Sequence, residues 1–597
     1  MQSPITSVWR ASAVFVVGVC SCHGERPTHQ SAHEPVQEAR ATLHTVHAFI
    51  GATVFDGTGR DVMPDSVIIV TDDRITAVGT VATVKIPDSA QRIDVGGKWI
   101  IPGLIDSHIH FFQSSGLYTR PDIINMSELQ SYDDELTSLK EGNTPLLKRY
   151  VASGVTSVVD MGGPFWNFDV RDHANGSTLT PRVAVSGPLI STVDRNILDR
   201  GDPPIIRASN PEHAKRLVRA QLLRKPDLVK VWYIVGTDGN VTTSAPILGA
   251  VIEEAHGAGV RVAVHATQLE AARLAVRHGA DILVHSVDDE VVDEAFVTLL
   301  KASGVIYITT LVAYEGYADV LGDQVALIPS EERLGDPVAI DSWSAIKHPT
   351  GLIARDERSK GWWQKLATRF PRMQENLRRI HNGGVTVAAG TDAGNIGTLH
   401  GPSMHRELQR WVEAGISPAD AIVGATRNAA RVFSKDPQMG TIEPNKLADF
   451  LIVGADPIAD IHNLTAIERV VLRGHIIDPS TIIPANPRWV VQQQVEAYNA
   501  RDLERFAALY AAHASIVDDQ GRTIARGRSD IRAVFSKVFA ESPELQCVIT
   551  ERMCTDETVV DHELVTGLRG RATPIRAIAS YQVKDGLIEK VTFLARN

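Results

Sequence analysis

Arg261-Val-Ala-Val-His265, an amphipathic stretch from Leu269 to His278, and Asp281-Ile-Leu-Val-His285 follow one another directly. The first and third runs are short, apolar and β-branched, which reads as buried strand, and the middle one carries its apolar residues at helical spacing. A strand, a helix and a second strand of the same kind make one βα step, because parallel neighbours need a crossover connection. The same unit recurs from about Trp99 to Phe433. Its other strands are Gly103-Leu-Ile-Asp106, Val155-Thr-Ser-Val-Val-Asp160, Arg182-Val-Ala-Val-Ser186, Leu228-Val-Lys-Val-Trp232, Val305-Ile-Tyr-Ile-Thr309 and Val385-Thr-Val-Ala-Ala-Gly390. Eight parallel strands with helices between them predict an α/β fold, a (β/α)8 TIM barrel over residues 99–440, with its active site at the C-terminal strand ends. Two connections, from Phe111 to about Pro145 and from Leu311 to about Arg378, exceed ordinary loop lengths and are candidate lids or substrate walls.

On either side of this region the pattern changes. Residues 46–98 alternate short β-rich runs with turns, and Ala448-Asp-Phe-Leu-Ile-Val453 and Val470-Val-Leu-Arg-Gly-His-Ile-Ile477 resume that pattern far downstream. The expectation is a small composite β-sandwich built from 46–98 and 441–483, with the barrel inserted between its halves. After Pro484-Ala-Asn-Pro487 a helix is predicted from about Val490 to Ala511, followed by alternating strands. Proline cannot continue a helix or a central strand, so a separate α+β domain over 488–597 is expected to start there.

The chain of 597 residues is too long for one core. Its 44% apolar and 22% charged residues fit globular folding, and a formal net charge of -11 without basic clusters excludes a nucleic-acid partner. Arg10, the apolar run Ala11 to Val19 and then Val19-Cys20-Ser21-Cys22 read as a secretory signal over 1–22, with a polar linker over 23–45. Export to the periplasm is expected, with Cys22 as a lipid attachment point and membrane anchor. Cys547 and Cys554 are too far apart on one predicted strand to form a disulfide, since a bridge needs Cα atoms within about 7 Å.

The residues that carry chemistry cluster at strand ends. His108 and His110 sit two apart in Gly103-Leu-Ile-Asp-Ser-His-Ile-His110, so an extended backbone points both imidazoles to one side. His265 and His285 each close a strand. Either pair alone is compatible with histidines that cap strands; four imidazoles at one barrel mouth favour a divalent metal. Asp392 follows the last strand in Gly390-Thr-Asp-Ala-Gly394, where glycines allow close backbone approach; it reads as a ligand and proton carrier, or as the N-cap of a following helix. Lys230 lies within the apolar run Leu228-Val-Lys-Val-Trp232. A buried ammonium is costly, so this lysine snorkels, pairs with a carboxylate, or has a lowered pKa and becomes modified.

Together with Gly440-Thr-Ile-Glu-Pro-Asn-Lys-Leu-Ala-Asp449, these motifs resemble the amidohydrolase superfamily, in its binuclear subgroup of imidazolonepropionase-like and prolidase-like members. The resemblance implies a metal-dependent hydrolase that cuts carbon–nitrogen bonds in amides, cyclic amides or small peptides through a metal-bridging hydroxide. It implies two divalent ions of the zinc type, a carbamate on Lys230 bridging them, His108 and His110 on one metal with Asp392, and His265 and His285 on the other. Asp392 is then also the catalytic base and acid. Tyr233 and His400 are candidate substrate contacts, and a homo-oligomer acting on small molecules or short peptides is the expected form. Two departures stand out: Val284-His285-Ser286 in place of Glu-His-Gly, and Pro-Asn-Lys in place of Pro-Gly-Lys at Asn445. A mononuclear deaminase of the same superfamily is the alternative. The region 488–597 resembles the cone-shaped NTF2-like or SnoaL-like fold, on Val491-Gln-Gln-Gln-Val-Glu-Ala-Tyr498, Gly527-Arg-Ser-Asp530 and Val559-Val-Asp-His-Glu563. A barrel that serves only as scaffold, with this domain as the isomerase or binding module, is the reading from another class. Asp561 and Glu563 share one strand face and are read as surface charge, with a place lining the cone as the alternative.

Overall fold

The computed structural model describes residues 44–597 apart from 236–238, 360–361, 556 and 597. The signal segment, Cys22 and nearly all of the linker lie outside the described residues. Among the described residues no helix is long and apolar enough to cross a membrane.

All eight expected strands of the central region form: Leu104–Ile109, Val155–Asp160, Arg182–Val185, Val229–Trp232, Val262–His265, Ile282–Val284, Ile306–Ile308 and Val387–Ala388. The first two are buried at every position, as parallel sheet covered on both faces requires. The strands lie in two parallel arcs. One holds the first three; the other holds the remaining five and begins with two short strands, Ile205–Arg207 and Leu189–Ser191. Those two are unforeseen, being three residues each and too short to show a period in sequence. Backbone bonds cross between the first and last strands' ends: Ser107 N donates to Ala389 O at 3.1 Å, His110 N to Ala393 O at 2.9 Å, and Asp392 N to His108 O at 2.7 Å. At the other seam Asp227 N donates to Val185 O at 3.0 Å. One buried apolar cluster draws on or beside all eight strands, from Ile105 and Val159 through Ala263 and Ile306 to Ala388.

The intervening helices start where their sequence places caps. The Asn210 side chain accepts from His213 N ahead of Pro211–Leu222, and Asp293 accepts from Phe296 N ahead of Glu294–Ser303, which Gly304 closes in the left-handed conformation. The long excursions are helical, with Tyr132–Glu141 in the first and Leu311–Leu321, Pro329–Leu334, Pro337–Ser342 and Trp362–Asn382 in or beyond the second.

The flanking β segments pair with one another in a continuous eight-stranded sheet, whose ends meet where Ile75 N donates to Lys446 O at 2.9 Å. Strand Met63–Thr71 is buried from Ser66 to Val70, so apolar side chains cover both faces of that one sheet. Trp99–Pro102 belongs to it, antiparallel to Phe450–Val453 and parallel to Val46–Val54, which moves the expected boundary at residue 98 four residues downstream. Asn445 has φ 72°; asparagine tolerates the left-handed turn that glycine fills elsewhere, so this departure is confined to a turn.

The C-terminal region forms a six-stranded sheet in the order Thr523–Arg526, Tyr510–Val517, Leu587–Arg596, Ile575–Lys584, Thr558–Thr566, Gln546–Thr555. The helix expected over 490–511 is broken. Pro487–Ala500 ends at Arg501, which has φ 56°, and Asp502 caps a second helix, Leu503–Ala508, by accepting from Arg505 N. The competing signal was Asp502 itself, whose short carboxylate favours a cap over a helix interior. Cys547 and Cys554 lie on one strand, both free. This domain meets the second excursion through Asn486 Nδ2, which donates to Glu332 O at 2.7 Å, and through the Arg488–Asp341 pair at 3.6 Å.

Candidate metal centre

The strand register sets the level of the site. Trp232 pairs with His265, His265 with Val284 and Val284 with Ile308, so the side chains that end these strands share one mouth. His108 and His110 arrive from the facing strand. His108 Nε2 lies 3.3 Å from His110 Nε2, and Asp392 Oδ1 lies 3.3 Å and 3.0 Å from the two. Asp392 Oδ2 is 3.9 Å from His285 Nδ1, whose ring centroid is 4.8 Å from that of His108 and 4.4 Å from that of His265. The structure thus brings His108, His110, His265, His285 and Asp392 together, with Lys230 on the intervening strand close enough for its charge to act on three of the histidines.

The backbone is shaped to achieve this. His285 and Asp392 have φ of 76° and 60°, a left-handed conformation that costs a non-glycine residue on the order of 1–3 kcal/mol and clusters at functional sites. Asp392 caps no helix; the next one begins at Ser403. Gly390 and Gly394 are needed beside it, since a Cβ would stand 3.0 Å from His108 N in the first case and 2.5 Å from His110 O in the second.

Whether these residues suit a cation is answered by their unspent atoms. Lys230 Nζ, Asp392 Oδ1 and His108 Nδ1 are buried without a hydrogen-bond partner among the described residues. An unsatisfied buried polar group costs about 1–3 kcal/mol, and here several converge. His110 Nδ1 donates to Gly162 O at 2.7 Å, which leaves its Nε2 lone pair for a ligand, the arrangement typical of metal-binding histidine. His285 Nδ1 pairs with Thr310 Oγ1 at 2.8 Å, leaving Nε2. Burial, and secondarily the Lys230 charge or a neighbouring imidazole, holds His108, His265 and His285 well below the usual histidine range; neutral imidazole is the ligating form. Burial also brings the Lys230 amine down to about 7, against a smaller opposing pull from Asp392. His108, His110 and Asp392 form a candidate metal site on geometry alone.

A cavity of about 390 Å3 opens over these groups. Both long excursions supply its wall: Gln113, Arg120 and Ile123 from the first, and Tyr314, Tyr317 and Arg369 from the second. Tyr233 and His400 are not among the described residues that line it. The Tyr233 hydroxyl donates to Val241 O, and both His400 ring nitrogens are taken, by the Tyr150 hydroxyl at 2.6 Å and Gln113 O at 2.7 Å. His400 thereby holds the wall residue Gln113 from behind.

Several residues of the site escaped the sequence reading. Asp106, inside the first motif, accepts His108 N at 3.2 Å, Thr391 N at 3.0 Å and Thr391 Oγ1 at 2.6 Å, locking the first ligand strand to the segment that carries Asp392. Its place two residues before His108 was the available signal. Arg120 gives two bonds to Asp122 and one each to Asn395 and Tyr317, at 2.6 to 3.0 Å, so three distant segments meet at one guanidinium. No local pattern announces that contact.

Residues 99–477 match the model of the amidohydrolase family, and 491–591 that of a SnoaL-like domain. An imidazolonepropionase of Aromatoleum aromaticum is 24% identical over 62% of this chain and 81% of its own length. A 5-methylthioadenosine/S-adenosylhomocysteine deaminase of Symbiobacterium thermophilum is 24% identical over 68% of this chain and 84% of its own. Among solved structures, a Xaa-Pro dipeptidase with bound methionine in the active site superposes with a TM-score of 0.56 at 22% identity, covering 73% of this chain and all of that one. With a matched region exceeding half its length and the ligand motifs gathered at one cavity, the chain belongs to the amidohydrolase family and carries a SnoaL-like domain behind it.

Proposed function

We propose that this protein is a two-metal hydrolase of carbon–nitrogen bonds in amides, cyclic amides or small peptides, and that its two parallel arcs close into a (β/α)8 barrel. Closure is supported by the backbone bonds that tie 107–110 to 389–393 and by the apolar cluster that takes residues on or beside all eight strands. The single observation that carries the hydrolase reading is the buried Lys230 amine, 1% exposed, without a partner and beside four imidazoles and a carboxylate. A permanently charged lysine there would repel the cations that the histidines are set to hold. With its pKa near 7 it offers a substantial neutral fraction, and the neutral amine is the form that adds carbon dioxide to give a carbamate, an anionic bridge in place of a cation.

His108, His110 and Asp392 would hold one divalent ion of the zinc type, and His265 and His285 the other, with the Lys230 carbamate between them. Such ions supply an acidified water near neutral pH and a Lewis acid for the scissile carbonyl. Asp392 takes the proton from the attacking water and returns it to the leaving nitrogen; its left-handed backbone and the Thr391–Asp106 bond fix it for that exchange. Tyr314, Tyr317 and Arg369 on the helical excursion and Ile123 on the first loop exclude solvent and form the substrate wall. The likeness to a Xaa-Pro dipeptidase supports short peptides within this substrate class.

The compact trio of His108, His110 and Asp392, which needs no lysine, favours one competing reading, a single-ion deaminase. Elemental analysis of the purified protein against the Lys230→Ala variant separates them. Two divalent ions per chain, falling in the variant, support the hydrolase reading; one ion, unchanged, favours the deaminase, and none overturns both.

A further inference from the structure

Helix Trp362–Asn382 is fastened to the loop after strand Ile282–Val284 by side chains at positions 369, 372 and 376, a spacing that puts all three on one helix face. Two of them are spent on backbone. Arg372 Nη1 donates to Asp288 O at 2.7 Å and to Asp289 O at 2.8 Å, and Asn376 Nδ2 donates to Val287 O at 2.9 Å and to Glu290 O at 2.8 Å. Arg369, one turn nearer the start of the helix, differs. Its Nη1 donates to Asp288 Oδ2 at 2.9 Å, and both residues line the cavity over the candidate metal centre. The Asp288 side chain is 4% exposed and that of Arg369 37%, so the acid stands behind and the guanidinium in front. Among the described residues this guanidinium makes one hydrogen bond, to Asp288. It carries five N–H donors in a fixed fork, so an edge of it remains for a ligand.

The C-terminal domain shows what an arginine used wholly for the fold looks like. Arg552 gives Nε and Nη2 to Asp561 at 2.6 and 2.7 Å and Nη1 to Gln492 Oε1 at 3.0 Å. That domain has its own cavity, of about 230 Å3, lined in part by Glu563, whose Oε1 accepts the Tyr581 hydroxyl at 2.6 Å. Neither Asp561 nor Glu563 is the surface charge expected from sequence, because alternate residues of Thr558–Thr566 point inward and are buried. In the first cavity the other arginines are engaged by the protein. Arg120 is held by Asp122, Asn395 and Tyr317, and Arg195 pairs with Asp122 at 3.5 Å and covers the Trp232 ring at 4.8 Å.

Strand order arranges the rest of the first cavity. Along the parallel arc the strands of Ile205, Leu189 and Trp232 come first, that of His265 follows, and that leading to His285 and Asp288 comes after it. His265 thus stands between an apolar wall and the arginine.

We propose that Arg369 holds a carboxylate of the substrate, so that the preferred substrates are amides or short peptides with an apolar group on one side of the scissile bond and a free carboxylate on the other. The substrate class rests on the hydrolase reading above; the anion site rests on Arg369. Asp288 aims the fork, and a carboxylate meets it through two parallel N–H···O bonds, a geometry that lysine cannot supply.

Two probes without a scissile bond, 4-phenylbutanoate and 4-phenylbutan-1-ol, test the site through their dissociation constants for the purified full chain, measured by isothermal titration calorimetry. The acid should bind about tenfold or more tightly than the alcohol, the range of hydrogen bonds to a charged group. Arg369→Gln should bring the acid down to the level of the alcohol, and Arg369→Lys should recover only part of the difference, because it keeps the charge and loses the fork. An acid seated on a metal ion would keep its preference in Arg369→Gln, and that result overturns the proposal. Equal affinity of the two probes for the unaltered protein overturns it without recourse to any variant, and so does the absence of saturable binding by either. An acid preference that depends on Arg369 in a protein holding one metal ion or none would sustain the anion site and overturn the two-metal hydrolase alone.

Discussion

The two cavities handle buried polar groups in opposite ways. In the amidohydrolase region Lys230 Nζ, Asp392 Oδ1 and His108 Nδ1 are without a hydrogen-bond partner among the described residues, and two candidate ligands, His285 and Asp392, are held at positive φ. In the C-terminal domain the acids meet arginine and tyrosine donors, and the strands that carry them are regular. Strain and unspent lone pairs of a few kcal/mol persist only where something else compensates. The first cavity thus has the geometry of a candidate metal site, whereas protein donors meet the acids of the second. Metal removal should accordingly destabilise the first region and leave the second untouched.

The largest effect that tests this contrast is expected from Lys230→Ala. Turnover should fall to background and bound metal should drop, while circular dichroism reports an intact fold, since the change removes a costly buried amine. Full activity in that variant would collapse the difference between the cavities. Asp392→Asn comes next. It keeps the shape but cannot take a proton, so kcat should fall on the order of 10²–10⁴-fold, the usual share of general acid–base catalysis. A loss below tenfold would assign the proton transfer elsewhere.

How much of this was legible in the sequence depends on the range of the signal. All eight strands were readable, because each is a run of buried residues whose pattern is local. The candidate site residues were readable because most stand at or just past the end of such a run, with Lys230 inside one. The place of Trp99–Pro102 in the flanking sheet was not, since its pairing with Phe450–Val453 joins segments some 350 residues apart. The positions of Tyr233 and His400 were equally hidden. The bond from the Tyr233 hydroxyl to the Val241 carbonyl has no local pattern that announces it. Arg120, Tyr317 and Asn395 meet only in three dimensions. Positive φ at His285 and Asp392 left no trace either, because neither is the glycine that normally marks it.

Smaller effects sharpen the contrast by probing the supports of the first cavity. Asp106→Ala unties His108 N and Thr391 from each other, and loss of such a support should lower activity or metal affinity about 10–100-fold. Glu407 holds the start of the Leu311–Leu321 helix, accepting Thr309 Oγ1 at 2.7 Å and Val312 N at 2.9 Å. Burial pushes its carboxyl up to about 7. The folded state therefore binds the proton more tightly than the unfolded one, and stability should fall as pH rises from about 4.5 through 7. Glu407→Gln should remove a pH-dependent change on the order of 3 kcal/mol from that window in denaturant titrations. A slope unchanged by the substitution would place the carboxylate's compensation in its hydrogen bonds.

The smallest effect concerns the contact between the two regions. Arg488 pairs with Asp341 at 3.6 Å, and it sits in the first turn of Pro487–Ala500, against the excursion whose earlier helix carries Tyr314 and Tyr317. A partly exposed pair of this length contributes at most about 1 kcal/mol, and the wall residues are fixed by closer bonds, such as that of Tyr317 to Asn395. Arg488→Ala should therefore change kcat/KM less than about threefold, since 1 kcal/mol corresponds to about fivefold and only part of it reaches the wall. Steady-state assays that find a tenfold or larger change would mean that the C-terminal domain positions the substrate wall. The two cavities would then be coupled through the helices between them.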